Sequence, residues 1–165
     1  MNNLSLYGWS ENLFQQKQAS QYKHLSHGRV AAVNKTNYEV IAENGRLFCE
    51  LAGNVLYGRP SSELPCTGDW VIFQPFDDNK AIIVDILPRM HTLYRRKSGT
   101  VSDRQAIASH VDKAFIVQSL DANFSIRRAE RFIVQVLEED IQPVLVLTKS
   151  DLEFSCEKVE ESLRH

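Results

Sequence analysis

Cysteine is scarce in this chain: three residues in 165, Cys49, Cys66 and Cys156, an odd number with no C-x-x-C pair. That count speaks against a disulfide framework and against a zinc site made by these residues. A reducing compartment, the cytoplasm, is the expectation. No apolar run approaches the roughly 20 residues that span a bilayer, and Met1–Phe14 carries no signal-peptide pattern, so no membrane contact is expected. Glycine is also sparse, and none of the seven is followed by lysine or preceded by aspartate at three residues. A phosphate loop, G-x-x-x-x-G-K-[ST], and an Asp-x-x-Gly switch are therefore both missing from this stretch. Internal repeats and low-complexity tracts are missing too.

Acid is absent from two stretches. One, 12–38, holds Lys17, Lys23, Arg29 and Lys35; the other, 86–102, holds Arg89, Arg95, Arg96 and Lys97. Residues 1–104 carry 12 Lys+Arg against 10 Asp+Glu, and residues 105–165 carry 7 against 11. Any nucleic-acid contact is thus expected in the front half. Hydrophobic residues at 43% and charged residues at 24% suit a soluble globular chain with a buried core.

Four regions follow from the pattern. Residues 1–27 are polar and glutamine-rich and read as a partly ordered arm, or as a short helix packed on the next domain. Residues 28–88 hold five short β-type runs: Arg29–Val33, Tyr38–Ala42, Arg46–Leu51, Asp69–Phe73 and Ala81–Leu87. Turn residues separate them, and one long connection, Gly53–Gly68, precedes the fourth. That arrangement predicts a five-stranded OB-type β barrel, with an SH3-like barrel as the alternative. Such barrels bind nucleic acid on one strand face and its loops. Arg29, Lys35, Arg95, Arg96 and Lys97 are the RNA-contact candidates. Residues 89–105 read as a basic linker.

Residues 106–165 read as the start of an α/β domain. Val111–Leu120 is a buried strand; Ile126, Ala129, Phe132, Ile133, Val136 and Leu137 recur at helical spacing; Pro143–Leu147 is a second strand. Together they predict one βαβ unit on a parallel sheet. The second strand runs into Thr148-Lys149-Ser150-Asp151. Open α/β sheets place ligands at the carboxyl ends of their strands. An ionised Asp only accepts hydrogen bonds, and its two oxygens match the N1–H and N2–H₂ donors of guanine. A lysine stem can lie along the base with its ammonium in water. Thr148, Lys149 and Asp151 are therefore the guanine-binding candidates; the bland alternative is a strand end with Asp151 as a helix cap.

A guanine loop after a single βαβ unit, with no phosphate loop before it, means either that the guanine reading is wrong or that the G domain is circularly permuted and cut short. A β barrel followed by such a domain resembles the ribosome small-subunit-dependent GTPase A (RsgA) family. The resemblance is carried by Gly68-Asp69-Trp70-Val71, Ile86-Leu87-Pro88-Arg89, Val111–Val117 and Leu147–Leu152, and it runs from about Gly28 onward. It implies a monomeric, cytoplasmic GTPase acting in late maturation of the small (30S) ribosomal subunit. Its OB domain would bind rRNA and its G domain GTP or GDP with Mg²⁺; a zinc domain would lie beyond His165, as would the phosphate loop and switches. It implies no catalytic residue and no metal ligand within this chain, and no hydrolysis by these 165 residues alone. Thr148 departs from the commoner Asn of the family motif, and His110 stands where an Asn often precedes the Val-Asp pair. A non-enzymatic OB-fold RNA-binding module is the rival reading.

Overall fold

The computed structural model describes residues 3–60, 63–96 and 104–151, which fall into two units divided between His110 and Val111. Unit 1 is built on a closed barrel of order β1-β2-β3-β5-β4. Its strands are β1 (Ser26–Val33), β2 (Tyr38–Ala42), β3 (Gly45–Leu51), β4 (Trp70–Asp77) and β5 (Lys80–Ile86). Neighbours are antiparallel except β3 and β5, which run parallel from Phe48↔Lys80 to Leu51↔Ile83. β1 closes the ring on β4 through Ser26↔Phe73 to Arg29↔Trp70. This is the OB arrangement that five short runs with one long connection predict.

Period-two alternation explains the core. Val40 and Ala42 of β2, Cys49 of β3 and Ala81 and Ile83 of β5 point inward, and all are buried with Val30 and Phe73. The long connection is partly helical: α2 (Gly53–Gly58) inserts Val55, 1% exposed, into the same core. Burial pushes the thiols of Cys49 and Cys66 up to about 12, so neither is a nucleophile near neutral pH.

The amino-terminal region takes the alternative of a short packed helix rather than that of a partly ordered arm. It forms a 3₁₀ turn (Leu4–Tyr7) and a helix, α1 (Glu11–Ala19), capped by the Ser10 hydroxyl, which accepts from the Leu13 N–H. Leu4 and Leu13 pack with Trp70, Ile72 and Leu87 into a second apolar cluster that also takes in Trp9 and Ile41. Two buried leucines in a polar stretch give no periodic signal, which is why composition alone hides the packing.

His27 stacks on Trp9 at 4.0 Å between ring centroids. Burial first, and the Lys17 charge second, lower its pKa to about 4. The unfolded chain, with His near 6.5, binds that proton at higher pH than the folded one, so this contribution to stability is present above about 6.5 and lost as pH falls toward 4. The thermal midpoint, followed by the fluorescence of Trp9 and Trp70, is expected to drop between pH 7 and 5. His27→Gln should flatten that slope.

The stretch read as a basic linker is also more structured than expected. β6 (Leu93–Arg96) and β7 (Arg104–Ala108) form an antiparallel pair, with Arg95↔Gln105 and Arg96↔Arg104 opposite one another. Its flanks are bonded into unit 1: Arg89 donates to Asp69 and to the Leu64 carbonyl, and Ser109 N–H donates to the Thr67 carbonyl. Gly68 adopts φ +94°, and a Cβ there would lie 2.2 Å from the Ser109 carbonyl oxygen. Only glycine fits that approach.

Unit 2 is a βαβ element: β8 (Lys113–Ser119), α3 (Ile126–Leu137) and β9 (Gln142–Thr148), the strands parallel from Lys113↔Gln142 to Ser119↔Thr148. Ser125 caps α3 by accepting from the Arg128 N–H. The Gln118 amide brackets that cap, donating to the Ser125 carbonyl and accepting from its N–H, each at 3.1 Å. Ile116 and Gln118 are buried, whereas Phe115 and Val117 on the alternate face are 67% and 60% exposed.

Candidate guanine loop and basic surface

Parallel pairing brings the carboxyl ends of β8 and β9 side by side, and the guanine candidates stand there. Thr148 closes the register opposite Ser119. Its carbonyl accepts from the Leu120 N–H at 2.8 Å, and its hydroxyl donates to the Gln118 carbonyl at 3.3 Å. The hydroxyl is thus engaged in fastening the strand ends. Lys149 turns the chain in the left-handed region, at φ +59°, a conformation that costs an L-residue about 1–2 kcal/mol. Its ammonium donates to Asp121 Oδ2 at 2.7 Å. Asp151 follows on the turn with its side chain exposed.

Sequence reasoning did not single out Asp121. The Lys149 hydrogen bond, the Asn123 N–H at 2.9 Å and the Ser119 hydroxyl hold its carboxyl down to about 2. The available signal was positional: Asp121 lies two residues past β8, where a parallel neighbour ends in a lysine.

The basic candidates separate. Arg29 is half-buried in unit 1, where its guanidinium donates to the carbonyls of Gly68 and His110, each at 3.1 Å, and of Tyr7. Lys35 is exposed in the β1–β2 loop, which the Asn34 N–H and side-chain amide close onto Asn37 at 2.9 Å each. Arg95 is exposed on β6. Arg96 is described by its backbone alone, and Lys97 lies outside the described residues.

Of the two loops that OB barrels use for nucleic acid, the β4–β5 turn is acidic: Asp77, Asp78, Asn79, with Lys80 paired to Asp77 at 4.0 Å. On the β2–β3 face, Arg46 is paired to Glu39. Exposed cationic candidates therefore sit on the β1–β2 loop and on β6. Among the described residues, no three of His, Cys, Asp and Glu gather as metal ligands. No described helix is long and apolar enough to cross a membrane.

An OB barrel in one unit and a parallel βαβ element ending in Thr-Lys-x-Asp in the other define an OB-plus-α/β protein with a G-domain-like second part. Comparisons with known proteins agree. A family model described as RsgA GTPase matches residues 86–165. The small ribosomal subunit biogenesis GTPase RsgA 1 of Bacteroides thetaiotaomicron is 68% identical over 164 residues, covering 99% of this chain and 46% of that protein. A crystal structure of YloQ, titled a circularly permuted GTPase, matches at TM-score 0.57 and 25% identity, over 87% of this chain and 47% of that one. YjeQ from Thermotoga maritima matches in fold at TM-score 0.60 and 21% identity, over 84% and 47%. The chain belongs to the RsgA GTPase family. It spans about half the length of the curated relative and of the two solved structures it matches.

Proposed function

We propose that this chain supplies the OB domain and the opening βαβ unit, guanine loop included, of a cytoplasmic, circularly permuted GTPase acting in maturation of the small ribosomal subunit. The relative from Bacteroides thetaiotaomicron is named a small ribosomal subunit biogenesis GTPase. The observation that carries the nucleotide part is the loop itself: Lys149 pinned and Asp151 exposed at the carboxyl end of a parallel strand. Phe115 and Val117, exposed on one face of a parallel pair, support a further layer packed on that face, since parallel strands are ordinarily covered on both faces. Phosphate, Mg²⁺ and zinc would be held by residues outside this chain, and the whole protein would act as a monomer.

Competition with a fluorescent GDP tests the nucleotide part. The full-length protein should release it to GTP and retain it against ATP, because adenine presents a lone pair where Asp151 needs a donor. Residues 1–165 alone should bind GTP more weakly than micromolar and not hydrolyse it. Displacement by ATP as readily as by GTP would refute guanine recognition.

Unit 1 would bind rRNA through the β1–β2 loop and β6. Each phosphate neutralised should steepen the fall of log K with log salt by about 0.7–0.9. Lys35→Glu with Arg95→Glu should weaken binding to small-subunit RNA and flatten the slope. Arg29→Gln should lower the thermal midpoint and leave the slope alone, because its donors already serve carbonyls. An unchanged slope in the Lys35/Arg95 variant would remove these two from the interface.

A further inference from the structure

We propose that Asp121 is a positioning residue for guanine recognition that acts through Lys149; the proposal rests on the guanine reading of residues 148–151. A lysine at a strand end carries four rotatable bonds, and its ammonium is strongly hydrated. Left alone, the stem samples many rotamers, and a base resting on it would have to arrest that motion on binding. Here both ends of the stem are fixed beforehand. The backbone of Lys149 is set in the left-handed region at φ +59°, and the ammonium is held by Asp121 Oδ2 at 2.7 Å.

Asp121 is itself fixed. Its Oδ1 accepts the Asn123 N–H at 2.9 Å, and the neighbouring Ser119 hydroxyl further favours the charged carboxylate. Ser119 is the β8 residue in register with Thr148, so the anchor is built on the same strand pair that carries the guanine loop. The Lys149 side chain remains 55% exposed, against 19% for Asp121, so the stem keeps open surface for a planar ligand while its charged end is tied. Pre-arranging a flexible side chain improves affinity without adding a contact to the ligand. Asp121 touches no base in this account; its whole effect passes through Lys149.

The test is a thermodynamic cycle with fluorescent GDP on the full-length protein. Asp121→Ala should weaken GDP about fivefold, the scale of a partly exposed ion pair together with the stem it orders. In a Lys149→Ala background the same change should add nothing, because the residue it acts through is gone. Each variant should remain folded at the assay temperature, as its thermal midpoint will show, so that the loss of GDP reads positioning rather than unfolding. Wild-type affinity in Asp121→Ala, or a further loss in the Lys149→Ala background, would overturn the proposal. Asp151→Asn, assayed with GDP and xanthosine diphosphate, separates the two ideas. If it keeps its preference for GDP, the guanine reading fails. If it turns to xanthosine diphosphate while Asp121→Ala is silent, the role of Asp121 alone fails.

Discussion

Replacing Asp69 with alanine should destabilise unit 1 by about 3–5 kcal/mol, the cost of breaking a buried ion pair by removing one partner. The carboxylate is fully buried. It accepts from Arg89 Nε at 2.9 Å and a terminal guanidinium nitrogen at 2.7 Å, from the Cys66 N–H at 2.8 Å and from the Ser109 hydroxyl at 2.5 Å. Alanine would leave all of these donors without that acceptor, one of them a guanidinium whose side chain is only 15% exposed. Every unsatisfied buried donor costs more than its hydrogen bond contributes.

The same network gathers three stretches far apart in sequence: 64–69 before β4, Arg89 after β5, and Ser109 after β7. Losing it should loosen the β6–β7 pair together with the barrel. Both tryptophans lie in unit 1, 4.8 Å apart between ring centroids, so urea unfolding followed by their fluorescence reports on this unit. A loss under about 1 kcal/mol would mean that the ion pair is as well solvated in the unfolded chain as its burial is favourable. Asp69→Ala with Arg89→Met should recover part of the loss, because no unpaired charge is then left inside.

The barrel was legible because its information is local. Val40-Ile41-Ala42 and Ala81-Ile82-Ile83 alternate across a sheet in sequence, and the alternation is what buries Val40, Ala42, Ala81 and Ile83. The βαβ unit was legible for the same reason: the 3.6-residue spacing along α3 puts Ala129 and Val136 inside. Features held by a few long-range contacts were not. The arm packs through Leu4 and Leu13 onto Trp70 and Leu87, a contact that no window of sequence contains. Arg29 looked like part of a basic face, yet its partners are backbone carbonyls, which carry no residue-type signal. The turn at residues 148–151 was legible as a guanine candidate because one strand and four residues carry the pattern. The contact of Lys149 with Asp121 was not legible, because Asp121 belongs to the neighbouring strand end and meets Lys149 only through the parallel register.

Asp151→Asn should turn guanine preference into xanthine preference. The Asp151 carboxylate offers two acceptors, which suits N1–H and N2–H₂ of guanine together. Asparagine offers one acceptor and one donor, so its amide N–H₂ would face the guanine amine, donor against donor. Xanthine carries a carbonyl at that position and restores the match. A mismatch of this kind costs on the order of 1–3 kcal/mol for each polar group left unpaired, and a site built to bond one edge rejects the other strongly. Asp151 is exposed on a turn, so the fold should be untouched by the change. The deciding measurement is the rate of hydrolysis of GTP, XTP and ATP by full-length wild type and Asp151→Asn under one set of conditions. The variant should lose GTP and gain XTP with ATP poor in both; a variant that keeps wild-type selectivity for GTP would show that Asp151 does not read the base and that residues 148–151 are only the end of a strand.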